Sequence, residues 1–485
     1  MHITKTASTS SVSTVATFAT LLAWLALSSA LESAAKETAL VLGPIVEGTK
    51  GEPFSAPQID LSSRGYVMEE FFLDGSASAY KFADGSSSTP DGRWVTEREK
   101  ESTPFRTRIL VVRPQEQAAF NGTVIVHWQN VTAGYELGSV GDDEYLRGYA
   151  WVGVSAQAVG VDGFPGPQAA GLRQWDPGRY ESLNHPGDAY SYDIFSQAGR
   201  AVGPLRCEVG VDPMNGLVVS RLIAAGASQS AARLRTYING VHLLENVFDG
   251  FIPYIDFSST IPFGVDKGEG RRGMGMGQRT PIRNDIDVPV FVVNSETEAE
   301  AYLPARQPDS TTFRLWEVAG TSHVNIPRSM AASGTNEGPN WMSYQPAYQA
   351  AIRHTHDWVG SGTEPPRMPR ITMTDAQSGR PTIQRDANGN AMGGIRLPDL
   401  AVPTARHRGA GRFGGGSDNR FSFLYGLSQN FDDEKLAKLY LNRTGFLEKY
   451  ERELERCVQA GVILEEDIGS MRNRAIEWAQ RLPAG

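Results

Sequence analysis

Short apolar segments that do not alternate with polar residues constrain the fold of this chain most. Clear examples are Thr123–Trp128, Ala150–Val154 and Phe313–Val318, which are rich in β-branched or aromatic side chains. Strands that are buried on both faces have this pattern. Helix-like segments lie between the apolar ones, among them Tyr192–Val202 and Gln345–Val359. The alternation predicts an α/β fold with a mostly parallel central sheet flanked by helices.

Other segments extend this pattern and indicate how the chain is divided. Further predicted strands are Gly65–Phe82, Ile109–Arg113, Arg221–Ala225 and Val288–Val293, and a further predicted helix is Ser230–Asn239. Two glycine- and proline-rich stretches, at about 156–190 and 255–286, have the length of functional insertions. We therefore expect a core over 31–360 with these insertions. A C-terminal extension over 361–485 is expected to be irregular and then helical, with Asp432 as a helix N-cap.

The net charge and the N-terminal segment indicate which partners and which cellular location to expect. The 485 residues carry a formal net charge of -9, and no basic stripe is present, so nucleic-acid binding is not expected. Residues 1–30 resemble a signal peptide, with an uncharged apolar stretch that ends in Ser28-Ser29-Ala30. An uncleaved membrane anchor is the alternative. We expect a secreted protein, periplasmic in a bacterium, with no membrane span after cleavage.

Two kinds of covalent modification are consistent with export. Cys207 and Cys457 are the only cysteines, and an exported pair is easily oxidised to a disulfide, although two free buried thiols are the alternative. Three glycosylation sequons begin at Asn121, Asn130 and Asn442. The chain is therefore expected to carry a disulfide and, in a eukaryote, glycans.

The segment Gly226-Ala227-Ser228-Gln229-Ser230 carries the strongest chemical signal. An apolar strand leads into it and a helix-like segment leads out of it. A nucleophilic serine in this setting lies at the tip of a tight turn, so the residues two positions away must be small. The turn also puts Ser228 at a helix N-terminus, where the backbone N–H of Gln229 can donate to an oxyanion.

A serine nucleophile needs a base and an acid that orients the base. In chains of this type the order is serine, acid, histidine, each following a strand. His323 follows the strand Phe313–Val318 and is the predicted base. Glu298 follows the strand Val288–Val293 and is the preferred acid, with Glu296 as the alternative. A backbone N–H near Gln129 or Asn130, in the loop after the strand Thr123–Trp128, is the second predicted oxyanion donor.

No motif predicts a metal or a cofactor. The sequence has no HExxH string, CxxC pair or EF-hand pattern, and no GxGxxG follows a predicted strand. We therefore expect catalysis by side chains and backbone amides alone.

Five strings of the sequence resemble the alpha/beta hydrolase domain family, whose members are large and often secreted. They are RGYVMEEFFLDGSASAY at 64–80, VHWQNVTAGYE at 126–136, HPGDAYSYDIFSQAG at 185–199, AGASQSAARLRTYING at 225–240 and VAGTSHVN at 318–325. The resemblance covers roughly 60–440. It implies an α/β-hydrolase fold with Ser228 and His323 at the matching catalytic positions.

Motif and resemblance together predict a secreted serine hydrolase. The expected reaction is hydrolysis of a carboxylic ester, in a small molecule or linked to a polymer. An amidase or peptidase would use the same residues, and a hydrolase-fold binding protein without catalysis is the alternative from another class.

Overall fold

The fold is taken from a computed structural model. It describes residues 1, 38–138, 140, 143–166, 170–206, 210–264, 277–327, 336–374, 381–410 and 422–484. The predicted signal peptide, residues 1–30, lies outside the described residues apart from its first residue.

The described residues form one large sheet and one small sheet. Nine strands of the large sheet are ordered β1-β2-β3-β5-β4-β6-β7-β8-β9, and three strands form a small antiparallel sheet in the order β10-β12-β11. The strands are β1 Leu40–Leu42, β2 Tyr66–Phe82, β3 Thr96–Pro114, β4 Thr123–Trp128, β5 Ala150–Val154, β6 Arg221–Ala227, β7 Gly250–Tyr254, β8 Val290–Ser295, β9 Phe313–Val318, β10 Glu337–Gly338, β11 Ala405–Arg408 and β12 Leu427–Asn430.

The large sheet is parallel from β5 to β9 along its spatial order, and antiparallel from β1 through β3 to β5. Helices connect the parallel strands and cover the sheet. Those among the described residues are α1 Ala158–Asp162, α2 Leu172–Trp175, α3 Pro177–Tyr180, α4 Ser191–Val202, α5 Gln229–Gly240, α6 His242–Glu245, α7 Glu296–Tyr302, α8 Gln345–Ser361, α9 Pro398–Ala401, α10 Asp433–Tyr440, α11 Arg443–Gln459 and α12 Ile468–Ala479. The predicted mostly parallel α/β architecture is confirmed.

Both faces of the large sheet are buried, which explains why apolar and polar residues do not alternate along its strands. In β4, Val124 and Val126 pack in the core on one face with α4 and α5, whereas Ile125 packs in the core on the other face. That second core also contains side chains of α8, α11 and α12, including Trp358, Leu454 and Trp478. Helix α8 contacts β6, β7 and β8 on this face, and the C-terminal helices α11 and α12 extend the same apolar core beyond it.

Several predicted elements match the structure and others do not. The three segments that opened the sequence argument are strands with the predicted bounds, and Asp432 caps α10 by accepting a hydrogen bond from the N–H of Lys435 at 2.7 Å. The strand predicted at 109–113 begins much earlier, at Thr96, because its polar half pairs with β2 in a long hairpin. Strand β7 was not predicted. It is a short segment containing Pro253, and its position in the middle of the sheet depends on tertiary pairing.

The structure bears on two of the predicted covalent modifications. Among the described residues, Cys457 is a buried free thiol whose Sγ lies 3.7 Å from the carbonyl oxygen of Arg396, and the predicted disulfide is not supported. Its predicted partner, Cys207, lies outside the described residues. Asn130 is buried and its side-chain amide is engaged within the protein, so that sequon does not present an asparagine to solvent.

Candidate active site

Ser228 lies in a tight turn between β6 and α5. Its backbone adopts φ 57° and ψ -112°, a conformation that a non-glycine residue rarely takes. Its N–H donates to the carbonyl oxygen of Tyr254 at the end of β7, at 3.1 Å. The turn therefore holds Ser228 at the carboxyl edge of the parallel strands, where open α/β sheets bind ligands.

The two small residues flanking the serine have separate roles. A Cβ on Gly226 would lie 3.0 Å from the carbonyl oxygen of Ser230, so the helix can return over this position only because no side chain is present. Ser230 takes the place where glycine is more usual. Its hydroxyl donates to the carbonyl oxygen of Ala227 at 2.8 Å and accepts from the N–H of the same residue at 3.0 Å. The hydroxyl thus closes the turn.

The structure places Glu298 and His323 in direct contact. Nδ1 of His323 lies 2.7 Å from Oε1 of Glu298, and both side chains are buried. Glu298 lies on α7, directly after β8, and His323 lies in the loop after β9, so the pair occupies the same edge of the sheet as Ser228. A buried carboxylate at Nδ1 fixes the proton on that nitrogen and leaves Nε2 as the basic atom.

The second oxygen of the Glu298 carboxylate holds the start of α7. Oε2 accepts hydrogen bonds from the N–H of Ser295 at 2.9 Å and from its hydroxyl at 2.6 Å. Ser295 in turn accepts from the N–H of Thr297, which completes a capping box. The string Ser-x-x-Glu after a strand is the sequence signal for this arrangement, and it distinguishes Glu298 from Glu296.

Glu296, the alternative acid, contacts other groups. Its Oε2 accepts from the N–H of Gly320 at 2.8 Å, and its Oε1 accepts from the N–H of Gly409 at 3.0 Å and from Nη2 of Arg385 at 2.8 Å. The fully buried carboxylate therefore joins the loop that carries His323 to the C-terminal extension. No sequence signal pointed to this role, because the three partners are far apart along the chain.

Asn130 reaches the serine turn through its side chain. Its Nδ2 donates to the carbonyl oxygen of Ala227 at 2.9 Å, and its Oδ1 accepts from the N–H of Thr132 at 2.8 Å. The neighbouring N–H of Gln129 donates to Val154 at 3.3 Å, so it is engaged in the sheet. Asn130 therefore contacts the residue that precedes Ser228, whereas Gln229 is the residue that follows it.

His127, on β4 near the serine turn, contributes no second base. Burial lowers the pKa of this imidazole to about 4, and its Nε2 lies 3.1 Å from the hydroxyl of Tyr254. An imidazole with so low a pKa is neutral at pH 7 and binds protons weakly. Within the described part of the chain, no group of three or more His, Cys, Asp or Glu side chains is arranged to hold a metal ion.

Comparison with known families agrees with this architecture. The model of the family described as "Alpha/beta hydrolase domain" matches residues 41–473. The chain belongs to this family. The match of the alpha/beta hydrolase domain includes both the strands that carry the site and most of the C-terminal extension. No curated protein matches the sequence.

Solved structures that resemble this alpha/beta hydrolase include several esterases. The esterase Est22 is 15% identical, with 53% of this chain and 72% of that chain covered and a TM-score of 0.27. An acetyl xylan esterase from Paenibacillus sp. R4 is 13% identical, with 64% and 91% covered and a TM-score of 0.27. The activities in these names belong to those proteins. In the described residues, no helix is both long and apolar enough to span a membrane.

Proposed function

We propose that the protein is a serine hydrolase that cleaves carboxylic esters, with Ser228 as nucleophile, His323 as base and Glu298 as the orienting acid. The observation that carries the proposal is the 2.7 Å contact between His323 Nδ1 and Glu298 Oε1, at the same edge of the sheet as a serine in a strained strand-to-helix turn. A buried acid–histidine pair and a serine at one sheet edge are the parts that acyl transfer requires.

The reaction begins when Ser228 Oγ attacks the acyl carbon and its proton passes to Nε2 of His323. Glu298 stabilises the imidazolium that forms, and the N–H of Gln229, at the start of α5, donates to the oxyanion. The second donor is a backbone N–H near Asn130. The C–O bond to the alcohol then breaks, and the alcohol leaves with the proton from His323. Water, deprotonated by the same imidazole, hydrolyses the acyl-enzyme and restores Ser228.

Substrate and location complete the proposal. An ester of a small molecule or of a polymer fits a serine nucleophile without a cofactor. The apolar N-terminal stretch that ends in Ser28-Ser29-Ala30 supports export. Secretion into a medium, followed by N-terminal sequencing of the mature protein, tests this part. A mature chain that still begins at residue 1 would contradict it.

Labelling with a fluorophosphonate probe tests the nucleophile. The wild-type protein should become covalently labelled at Ser228, because the probe forms a stable adduct with an activated serine. Ser228→Ala should not be labelled and should lose ester hydrolysis by at least about 10³-fold. Ser87→Ala is the control, since it removes an exposed hydroxyl in the connection between β2 and β3 and leaves the serine turn intact. Absence of labelling in folded wild-type protein would contradict the proposal.

A further inference from the structure

Two phenylalanines from separate parts of the chain meet beside His323. The ring of Phe257, in the loop after β7, is stacked on the imidazole of His323 with centroids 5.2 Å apart and an angle of 25° between planes. The ring of Phe423, from the C-terminal extension, lies edge-on to Phe257 at 6.4 Å and 60°. Both distances and angles are those that aromatic pairs prefer. We call Phe257 and Phe423 the aromatic pair.

Backbone hydrogen bonds fix the turn that carries Phe423 against the loop that carries His323. The carbonyl oxygen of Leu424 accepts a hydrogen bond from the N–H of Val324, at 3.0 Å, so the residues next to Phe423 and His323 are bonded directly. The carbonyl oxygen of Tyr425 accepts from the N–H of Asn340 at 2.8 Å. The turn Ser422–Tyr425 is therefore fixed to the catalytic side of the sheet at two points.

The aromatic pair presents apolar surface to solvent. Phe423 is 40% exposed and Phe257 is partly exposed, although both lie against a histidine that is only 6% exposed. One exposed phenylalanine is ordinary on a protein surface. Apolar surface that continues directly from a buried imidazole can, in addition, cover an apolar group of a bound ligand and remove it from water.

The chemistry of acyl transfer decides which part of an ester reaches this surface. The leaving alcohol takes its proton from Nε2 of the histidine, so its oxygen is next to the imidazole when the C–O bond breaks. The acyl part is held by the serine and the proposed oxyanion donors, which lie in the loop after β4 and the turn after β6. A group that contacts rings packed on His323 is therefore part of the alcohol.

We propose that the aromatic pair is the alcohol-side subsite, and that it gives the enzyme a preference for esters of aromatic or bulky apolar alcohols. This inference rests on the function proposed above. Three esters of simple structure separate the possibilities. Benzyl acetate puts a ring on the alcohol side, ethyl phenylacetate puts a ring on the acyl side, and ethyl acetate has no ring.

Phe423→Ala is the main variant, because the side chain is exposed and its removal leaves no closed cavity. Its kcat/KM for benzyl acetate should fall about tenfold, mainly through KM, because one aromatic contact and its buried area are lost. Its kcat/KM for ethyl acetate and ethyl phenylacetate should stay within about twofold of the wild type. Phe257→Leu should change selectivity in the same direction. Ile476→Ala, an exposed apolar residue on α12, is the matched control and should change none of the three values.

The possible outcomes distinguish a failure of the proposed subsite from a failure of the proposed function. An equal loss for all three esters would overturn the subsite, because it would indicate a general effect on His323. A loss confined to ethyl phenylacetate would also overturn it and assign the pair to the acyl side. If Ser228 is labelled by a fluorophosphonate while the wild type does not prefer benzyl acetate over ethyl acetate, the inference is wrong and the proposed function stands. If neither labelling nor hydrolysis occurs, both are wrong.

Discussion

The carboxyl edge of the parallel strands and the C-terminal extension contribute to the same site in different ways. At the edge, each proposed catalytic residue follows a strand within a few positions: Ser228 after β6, Glu298 after β8 and His323 after β9. The extension contributes through hydrogen bonds between residues that are distant in sequence. Gly409 and Glu296, for example, are 113 positions apart. The proposed catalytic residues are thus placed by the strands that they directly follow. The hydrogen bonds that hold their loops join residues far apart in the sequence.

The extension supports the histidine loop through backbone groups as well as side chains. The N–H of Ala319 donates to the carbonyl oxygen of Ile395 at 3.0 Å, and the N–H of Ile395 donates to Glu317 at 2.8 Å. Asn340, which precedes the extension, joins the two regions, because its side chain donates to the carbonyl oxygens of Gly320 in the loop that carries His323 and of Arg408 in the extension. Loops on a sheet edge move more than strands do, so bonds of this kind fix the geometry that catalysis requires.

The largest effect is expected for Glu298, the proposed orienting acid. Glu298→Gln should lower kcat about 10³- to 10⁴-fold at pH 7, because an amide stabilises neither the correct tautomer nor the imidazolium of His323. Steady-state ester hydrolysis measures the loss. The thermal unfolding midpoint serves as control and should shift little, since the amide oxygen can still accept from Ser295. A kcat within tenfold of the wild type would show that Glu298 is not the acid.

A smaller effect, mainly on stability, is expected at Glu296. Glu296→Ala leaves Arg385 and the N–H groups of Gly320 and Gly409 without their shared acceptor, which should lower the free energy of unfolding by about 3 kcal/mol. Urea unfolding measures this change, and Glu296→Gln, which keeps one acceptor oxygen, should lose less. If Glu296→Gln instead lost activity as strongly as Glu298→Gln at unchanged stability, the roles of the two glutamates would be reversed.

The smallest effect concerns the response of the sheet core to acid. Burial lowers the pKa of His242 to about 4, and the imidazole packs edge-on to Phe251 on β7. The unfolded chain, with a histidine pKa near 6.5, therefore binds the proton first. The contribution of His242 to the free energy of unfolding is fully present above about pH 6.5 and is lost as the pH falls toward 4. At pH 5 the loss should be about 2 kcal/mol.

Urea unfolding at pH 7.5 and at pH 5 tests this response. The decrease in stability between the two pH values should be about 2 kcal/mol smaller in His242→Gln than in the wild type. Lys438→Gln, a change of an exposed charge on α10, is the control and should keep the wild-type difference. An unchanged difference in His242→Gln would mean that this imidazole does not govern the acid response.

The sequence was sufficient to predict those strands and turns whose structure restricts the residue types within the segment itself. Strands buried on both faces, such as β4, β5 and β9, have compositions that do not depend on which strands lie beside them. The serine turn was predictable for the same reason, because its geometry limits Gly226 and Ser230 directly. Glu298 and His323 were predicted as partners from chain order, and the structure places them in contact.

Features that depend on long-range contact were beyond such prediction. Strand β7 is short and contains a proline, so only its pairing with β6 and β8 makes it a central strand. The role of Glu296 depends on Arg385 and Gly409, which no local pattern connects to it. The expected disulfide is a prediction of the same kind: two cysteines in one chain indicate a possible bond, whereas only the fold decides whether Cys457 is near a partner.

The backbone of Ser228 has a consequence for how this sequence can change over time. A residue other than glycine at φ 57° and ψ -112° costs on the order of 1–3 kcal/mol, which the surrounding turn must offset. Ser228→Gly would relieve that cost and remove the proposed nucleophile, so a chain without that serine is expected to fold at least as stably as the present one. Mutational drift toward stability would therefore remove the serine, and only selection on the chemistry itself would retain it.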